Sequence, residues 1–186
     1  MLAHPYLLGT GQILLGILVA IAAIFDIRYR RIPNWLVLAG IIVGVFWNVY
    51  SSGWSGLLRS SEGLGLGFAL YFPLYLIRAR GAGDVKLLAA VGAVAGPGNC
   101  FWIALLTAIL GGVIALLLLI FRGRVRQTFF NVGWIIRDLL HLQAPWRSSD
   151  ELDVTTNKGL RLPHGAMIAV GVLAFIFISR KYGVNI

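Results

Sequence analysis

Apolar runs long enough to cross a bilayer dominate this chain and limit what it can fold into. Leu7 to Phe25 is nineteen consecutive residues without a charge, about 28 Å as a helix. Further apolar stretches follow at short intervals, several close to the roughly 20 residues that span the hydrocarbon. In hydrocarbon every backbone polar group must be satisfied internally, and with runs of this length the helix is the solution. Charged residues make up 12% of the 186 residues and hydrophobic ones 59%, whereas soluble domains typically carry about 25% charged residues. The expectation is an all-α, polytopic membrane protein with one domain over residues 1–186.

The charges lie in the gaps between the runs. The formal net charge is +9. Arg28, Arg30 and Arg31 follow the first run, Arg78, Arg80 and Lys86 flank Gly81 to Gly83, and Arg122, Arg124 and Arg126 follow a run ending near Phe121. Arg137, Arg147, Lys158 and Arg161 fall on the same side in an alternating path, against Arg59, Arg180 and Lys181 on the other. The positive-inside rule makes the first side cytoplasmic and puts the N-terminus outside. Met1 to Tyr6 carries no basic residue, so the first run reads as a span rather than a signal peptide, despite Ala20-Ile21-Ala22. Basic loops facing anionic lipid account for the charge; no nucleic-acid partner is expected.

Six spans are expected. The first ends near Phe25, the second covers about Trp35 to Tyr50 after Pro33-Asn34, and Ser51 to Gly56 turns outside. Leu57 to Ser61 lies at the interface, and the third span covers about Gly63 to Ile77, with Gly63 and Gly67 spaced for close packing and Pro73 a potential kink. The fourth is short, about Asp84 to Ala95. The fifth covers Phe101 to Phe121 and the sixth Pro163 to Ser179. Between them, Val125 to Leu142 repeats apolar residues at helical spacing (Phe129, Val132, Ile136, Leu139) and reads as a cytoplasmic amphipathic helix. A polar loop continues from Ala144 to Arg161, so that the interfacial segment covers about 122–162.

Cys100 stands alone and cannot make an internal disulfide or a four-cysteine zinc site. His4, His141 and His164 show no metal-ligand spacing. No metal and no cofactor are expected.

Two of the seven acidic residues stand out. Asp26 ends the first run, and Asp84 opens the fourth. A carboxylate at the edge of a bilayer is costly and usually functional. In the alternating topology both lie at one depth near the inner face, and neighbouring helices would let them share a water. Two close carboxylates share a proton, so that one can act as base while the other donates a hydrogen bond. That is the chemistry of aspartic peptide hydrolysis. Plainer roles compete at about even odds. Asp26 can pair with Arg30 one turn on, and Asp84 can serve the first turn of its own helix. Lys86 and Arg28 read most simply as snorkelling cations. A proton relay in a transporter is a further alternative, although transporters place such sites nearer the midplane, as is a non-catalytic assembly scaffold.

Asp26-Ile27-Arg28-Tyr29-Arg30-Arg31-Ile32-Pro33-Asn34, followed by Gly81-Ala82-Gly83-Asp84-Val85-Lys86-Leu87-Leu88-Ala89-Ala90-Val91-Gly92, resembles the type IV prepilin peptidase family of GxGD intramembrane aspartyl proteases. The resemblance implies that Asp26 and Asp84 are the catalytic pair. Gly81 and Gly83 would let backbone approach a substrate closely, and Lys86 and Pro163 are counted with them as candidates to shape the site. Leu162-Pro163-His164-Gly165 resembles the Pro-aromatic-Gly element opening the family's last helix, with His164 in the aromatic's place. Larger members carry a cytoplasmic insertion with two Cys-x-x-Cys pairs and also N-methylate their product. This chain lacks those cysteines and resembles the short form associated with Flp/Tad-type pili. The implied function is removal of the leader of a prepilin or pseudopilin, without methylation, at the cytoplasmic face of a bacterial inner membrane.

Overall fold

A computed structural model describes residues 5–77, 79–121 and 163–182. The described residues form five helices: α1 (Pro5–Tyr29), α2 (Asn34–Leu76), α3 (Ala82–Ala95), α4 (Pro97–Phe121) and α5 (His164–Tyr182). Four of them, all but α3, are long and apolar enough to cross a membrane. The expected amphipathic helix at 125–142 and the loop after it lie outside the described residues.

The all-helical membrane class is as expected, but the count of six separate spans is met only in part. Residues 35–50 and 63–76, expected as parts of two helices (the second to Ile77), fall within α2. That element is broken at Gly53, whose φ of 59° and ψ of −133° are not helical. Glycine reaches this region without a Cβ penalty. The expected turn at Ser51 to Gly56 therefore shrinks to one residue. Residues 57–61 belong to the arm that follows, and Ser60 is buried against α3 rather than lying at an interface. Pro73 keeps helical dihedrals.

The two arms of α2 run in opposite directions along α3. In the first, Gly40 lies against Ala90 and Gly44 against Val94. In the second, Gly63 lies against Gly92 and Gly67 against Leu88. The backbones are so close that a Cβ on Gly63 would collide with the Gly92 carbonyl. Small residues at these crossings are how membrane helices approach, since lipid supplies no hydrophobic drive. Asn48 Nδ2 donates to the Gly44, Ala93 and Val94 carbonyls, and Ser60 Oγ to that of Ala93. The bonds to Ala93 and Val94 satisfy carbonyls at the C-terminal end of α3 that have no intrahelical partner.

From Leu87 to Ala95 every residue of α3 is buried. A helix apolar all round belongs inside a bundle. Its 14 residues reach about 21 Å, short of the hydrocarbon thickness, but its neighbours rather than lipid enclose it. Gly96, at φ 81°, turns the chain into α4, which starts at Pro97, earlier than expected. Proline suits a first helical position. Cys100 is a small buried residue on α4 against α3.

Two long-range contacts orient the bundle. Gln12 Nε2 donates to Ser179 Oγ, so the start of α1 meets the end of α5. Lys86 Nζ donates to Asn34 Oδ1, joining the N-termini of α2 and α3. The end of α1 and the starts of α2, α3 and α5 therefore gather at one end of the bundle.

Candidate functional site

Asp26 lies in the last turn of α1 and is only 8% exposed. Its carboxylate is met by the start of α5. The Gly165 N–H donates to Asp26 Oδ2 at 2.7 Å and the Ala166 N–H at 3.4 Å. First-turn N–H groups lack intrahelical partners and carry the positive end of the helix dipole. Two backbone donors hold this buried carboxylate. Asp26 is thus bound to α5 across the fold, a contact that the local pairing with Arg30 considered from sequence did not include. Arg30 itself ends α1 in a left-handed conformation, φ 54°.

Asp84 occupies the first turn of α3, whose N-cap is Gly81. The Gly81 backbone N–H is directed at the Asp84 carboxylate, the reach-back of a capping box. The plain helix-starting role therefore holds for Asp84, but it does not exhaust the residue. The side chain is half-buried, and the charges of Asp26 and Arg80 both act on it. The fold thus brings the two sequence-selected aspartates into electrostatic reach. Lateral proximity was the quantity that spacing alone left open.

Ile32, in the link between α1 and α2, knits the site together. A Cβ built on Gly83 would lie 3.5 Å from Ile32 Cβ, and one on Gly165 would lie 3.1 Å from Ile32 Cδ1 and 3.0 Å from Asp26 Oδ2. A Cβ on Gly83 would sit in ordinary contact with Ile32, whereas Gly165 brings backbone against the carboxylate. Gly81 is exposed at the rim. Pro163 immediately precedes α5, and its carbonyl accepts from the Met167 N–H at 3.3 Å, so it sets the turn that delivers Gly165. Lys86 is exposed and braces Asn34 rather than facing the pair; two residues on from Asp84, it points to another side of the helix.

Sequence reading passed over two residues and gave a third no role. Tyr71, on the second arm of α2, is buried and shares a 3.1 Å hydrogen bond with His164 Nε2. His164, which holds no sequence-level signature of a ligand, is also buried. Arg80 is half-buried, and its charge reaches Asp84, Tyr71 and His164. The available signal was a tyrosine inside an apolar run, because a buried phenol needs a partner. Among the described residues no group of three or more His, Cys, Asp or Glu could hold a metal ion.

The arrangement gathers two carboxylates at one end of a helical bundle, one of them held by backbone donors. A prepilin leader peptidase/N-methyltransferase of Xanthomonas campestris pv. campestris is 31% identical over 141 residues, covering 69% of this chain and 49% of the relative. The chain thus spans about half the length of that curated relative. No solved structure matches it. A model of the type IV leader peptidase family matches residues 13–116, more than half of the chain and inclusive of both Asp26 and Asp84, and the chain belongs to that family.

Proposed function

We propose that this protein is a membrane aspartic endopeptidase that removes the leader of prepilin-like proteins, with Asp26 and Asp84 as the catalytic pair. The observation that carries the reading is the convergence of these aspartates, 58 positions apart in the chain, at one end of the bundle. In the proposed reaction one carboxylate takes a proton from a shared water. The other donates a hydrogen bond to the scissile carbonyl as it becomes tetrahedral. Asp26, already served by two backbone N–H groups, stays in place as the proton moves.

The substrate is a basic leader followed by an apolar helix. The apolar helix packs among the spans while the leader remains in the cytoplasm. In this reading the two arms of α2 count as separate spans, with α3 a sixth crossing completed by its neighbours. The N-terminus lies outside and the site near the cytoplasmic face of the inner membrane, as the loop charges favour. The family membership and the relative's leader-peptidase name support the substrate class. Cleavage proceeds without N-methylation, because the chain has one cysteine and none of the paired cysteines of the larger form.

The test is incubation of the purified protein with candidate prepilins, read by mass shift and N-terminal sequencing. Wild type should release the leader. Asp26→Asn and Asp84→Asn should each lower the rate by about 10²-fold or more while inserting and purifying normally. Full cleavage by either folded variant removes that residue from the mechanism.

A further inference from the structure

We propose that Tyr71, through its hydrogen bond to His164, is a positioning residue that holds the first turn of α5 on the Asp26 carboxylate. The proposal rests on the catalytic reading of Asp26 given above. His164 immediately precedes Gly165, the closer of the two donors to Asp26 Oδ2. Where the His164 ring sits therefore sets where the Gly165 N–H points.

The ring is fixed from the opposite side of the site. His164 Nε2 and Tyr71 Oη lie 3.1 Å apart, and the two rings are tilted by 34° with centroids 5.6 Å apart. Both side chains are buried, and each would leave a polar atom unsatisfied without the other, which is costly in a low-dielectric interior. The bond ties the second arm of α2 to the start of α5. The Asp84 and Arg80 charges reach Tyr71, so the tie lies alongside the carboxylate pair rather than in remote core. A contact chain results: Tyr71 to His164, His164 to Gly165 through the backbone, and Gly165 to Asp26. Small displacements of a reacting group are expensive in rate. A tie of this kind acts on turnover more than on substrate affinity.

Plain core packing is the competing account, and it makes different demands. Under it, Tyr71→Phe and His164→Phe would lower stability and leave the site's chemistry alone. Under the proposal, each variant lowers kcat about tenfold or more with KM nearly unchanged. The double variant is no slower than the slower single one, because either change alone breaks the same tie. A second readout needs no substrate: labelling of Asp26 by a water-soluble carbodiimide, located by mass spectrometry of the detergent-purified protein. It should rise in both variants as the N–H donors withdraw. Unchanged kcat in well-folded variants, or rate losses that multiply in the double variant, would overturn the proposal. So would Asp26 labelling equal to wild type, which decides the matter even if the wild-type protein cleaves no prepilin. Failure of wild-type cleavage alone counts against the peptidase reading and leaves the labelling result standing.

Discussion

Gly165 donates its backbone N–H to Asp26 Oδ2 at 2.7 Å, joining the start of α5 to the end of α1 across 139 positions of sequence. The contact needs a residue without a side chain. A Cβ at Gly165 would lie 3.0 Å from the same oxygen and 3.1 Å from Ile32 Cδ1, tighter than nearly all real contacts.

Gly165→Ala should therefore push the α5 start away from Asp26. The expected result is a fall in leader cleavage of about tenfold or more, with a loss of stability of ~1–3 kcal/mol from overpacking. Cleavage rates and detergent unfolding midpoints of the variant check both parts. Wild-type rates in Gly165→Ala would show that the approach of this backbone to Asp26 does not matter for the reaction.

The helix crossings yield a contrast within one turn. Gly63 is buried with its Cα facing the Gly92 carbonyl, whereas a Cβ on Gly65 meets nothing within 4 Å. Gly63→Ala must separate two backbones and should destabilise the bundle by ~3 kcal/mol or more, at the upper end of overpacking costs. Gly65→Ala should be neutral or stabilising by up to ~1 kcal/mol, from helix propensity alone. Thermal unfolding of the two variants side by side measures the difference. Equal effects would mean that α2 does not cross α3 at Gly63.

Much of this architecture is legible in the residues, and what is not has a physical reason. Apolar runs and their basic flanks place the helices, because a bilayer fixes length and the loop charges fix ends. The reversal near residues 51–56 is signalled by small and polar residues. That it narrows to Gly53, with helix on both sides, depends on a backbone dihedral that composition does not encode. The encasement of α3 was not readable either. Its sequence resembles any short apolar helix, and only the fit of Gly40, Gly44, Gly63 and Gly67 around it explains how it stays out of lipid. At the site, Asp26 and Asp84 stand out because charge near hydrocarbon is costly. Their partners Gly165, His164 and Tyr71 come from distant segments, and no local pattern links residues 26, 71 and 165.

Orientation can be read by labelling single cysteines from each side of the membrane. The background thiol, Cys100, is buried. The fold puts Arg30 and Lys86 at one end and Ser52, beside the reversal at Gly53, at the other. Arg30→Cys and Lys86→Cys should react with impermeant reagent only from the cytoplasmic side, and Ser52→Cys only from outside, as the loop charges require. Labelling of Ser52→Cys from the cytoplasm would invert the protein and part the carboxylate pair from a cytoplasmic leader.

The pH dependence of cleavage separates a peptidase from a proton-coupled transporter. The charge of Asp26 acts on Asp84, and the proposed reaction needs one proton shared between them. At low pH both are protonated and no base remains. At high pH both are ionised and no acid remains to support the carbonyl. Activity belongs to the singly protonated pair between these limits, and the rate should trace a bell with a limb on each side. Replacing either aspartate removes the shared proton, so Asp26→Asn and Asp84→Asn should flatten the whole profile rather than move its maximum. The Arg80 charge acts on Asp84, and a cation favours the ionised form of a carboxylate by simple attraction. Arg80→Gln should therefore shift the acid limb or the maximum to higher pH while leaving a bell. A transporter would instead carry protons into liposomes in the absence of any peptide. Aspartate-dependent proton flux with no cleavage of any prepilin at any pH would end the peptidase reading. A bell that vanishes with either aspartate and shifts with Arg80 would support a working pair tuned by its neighbouring cation.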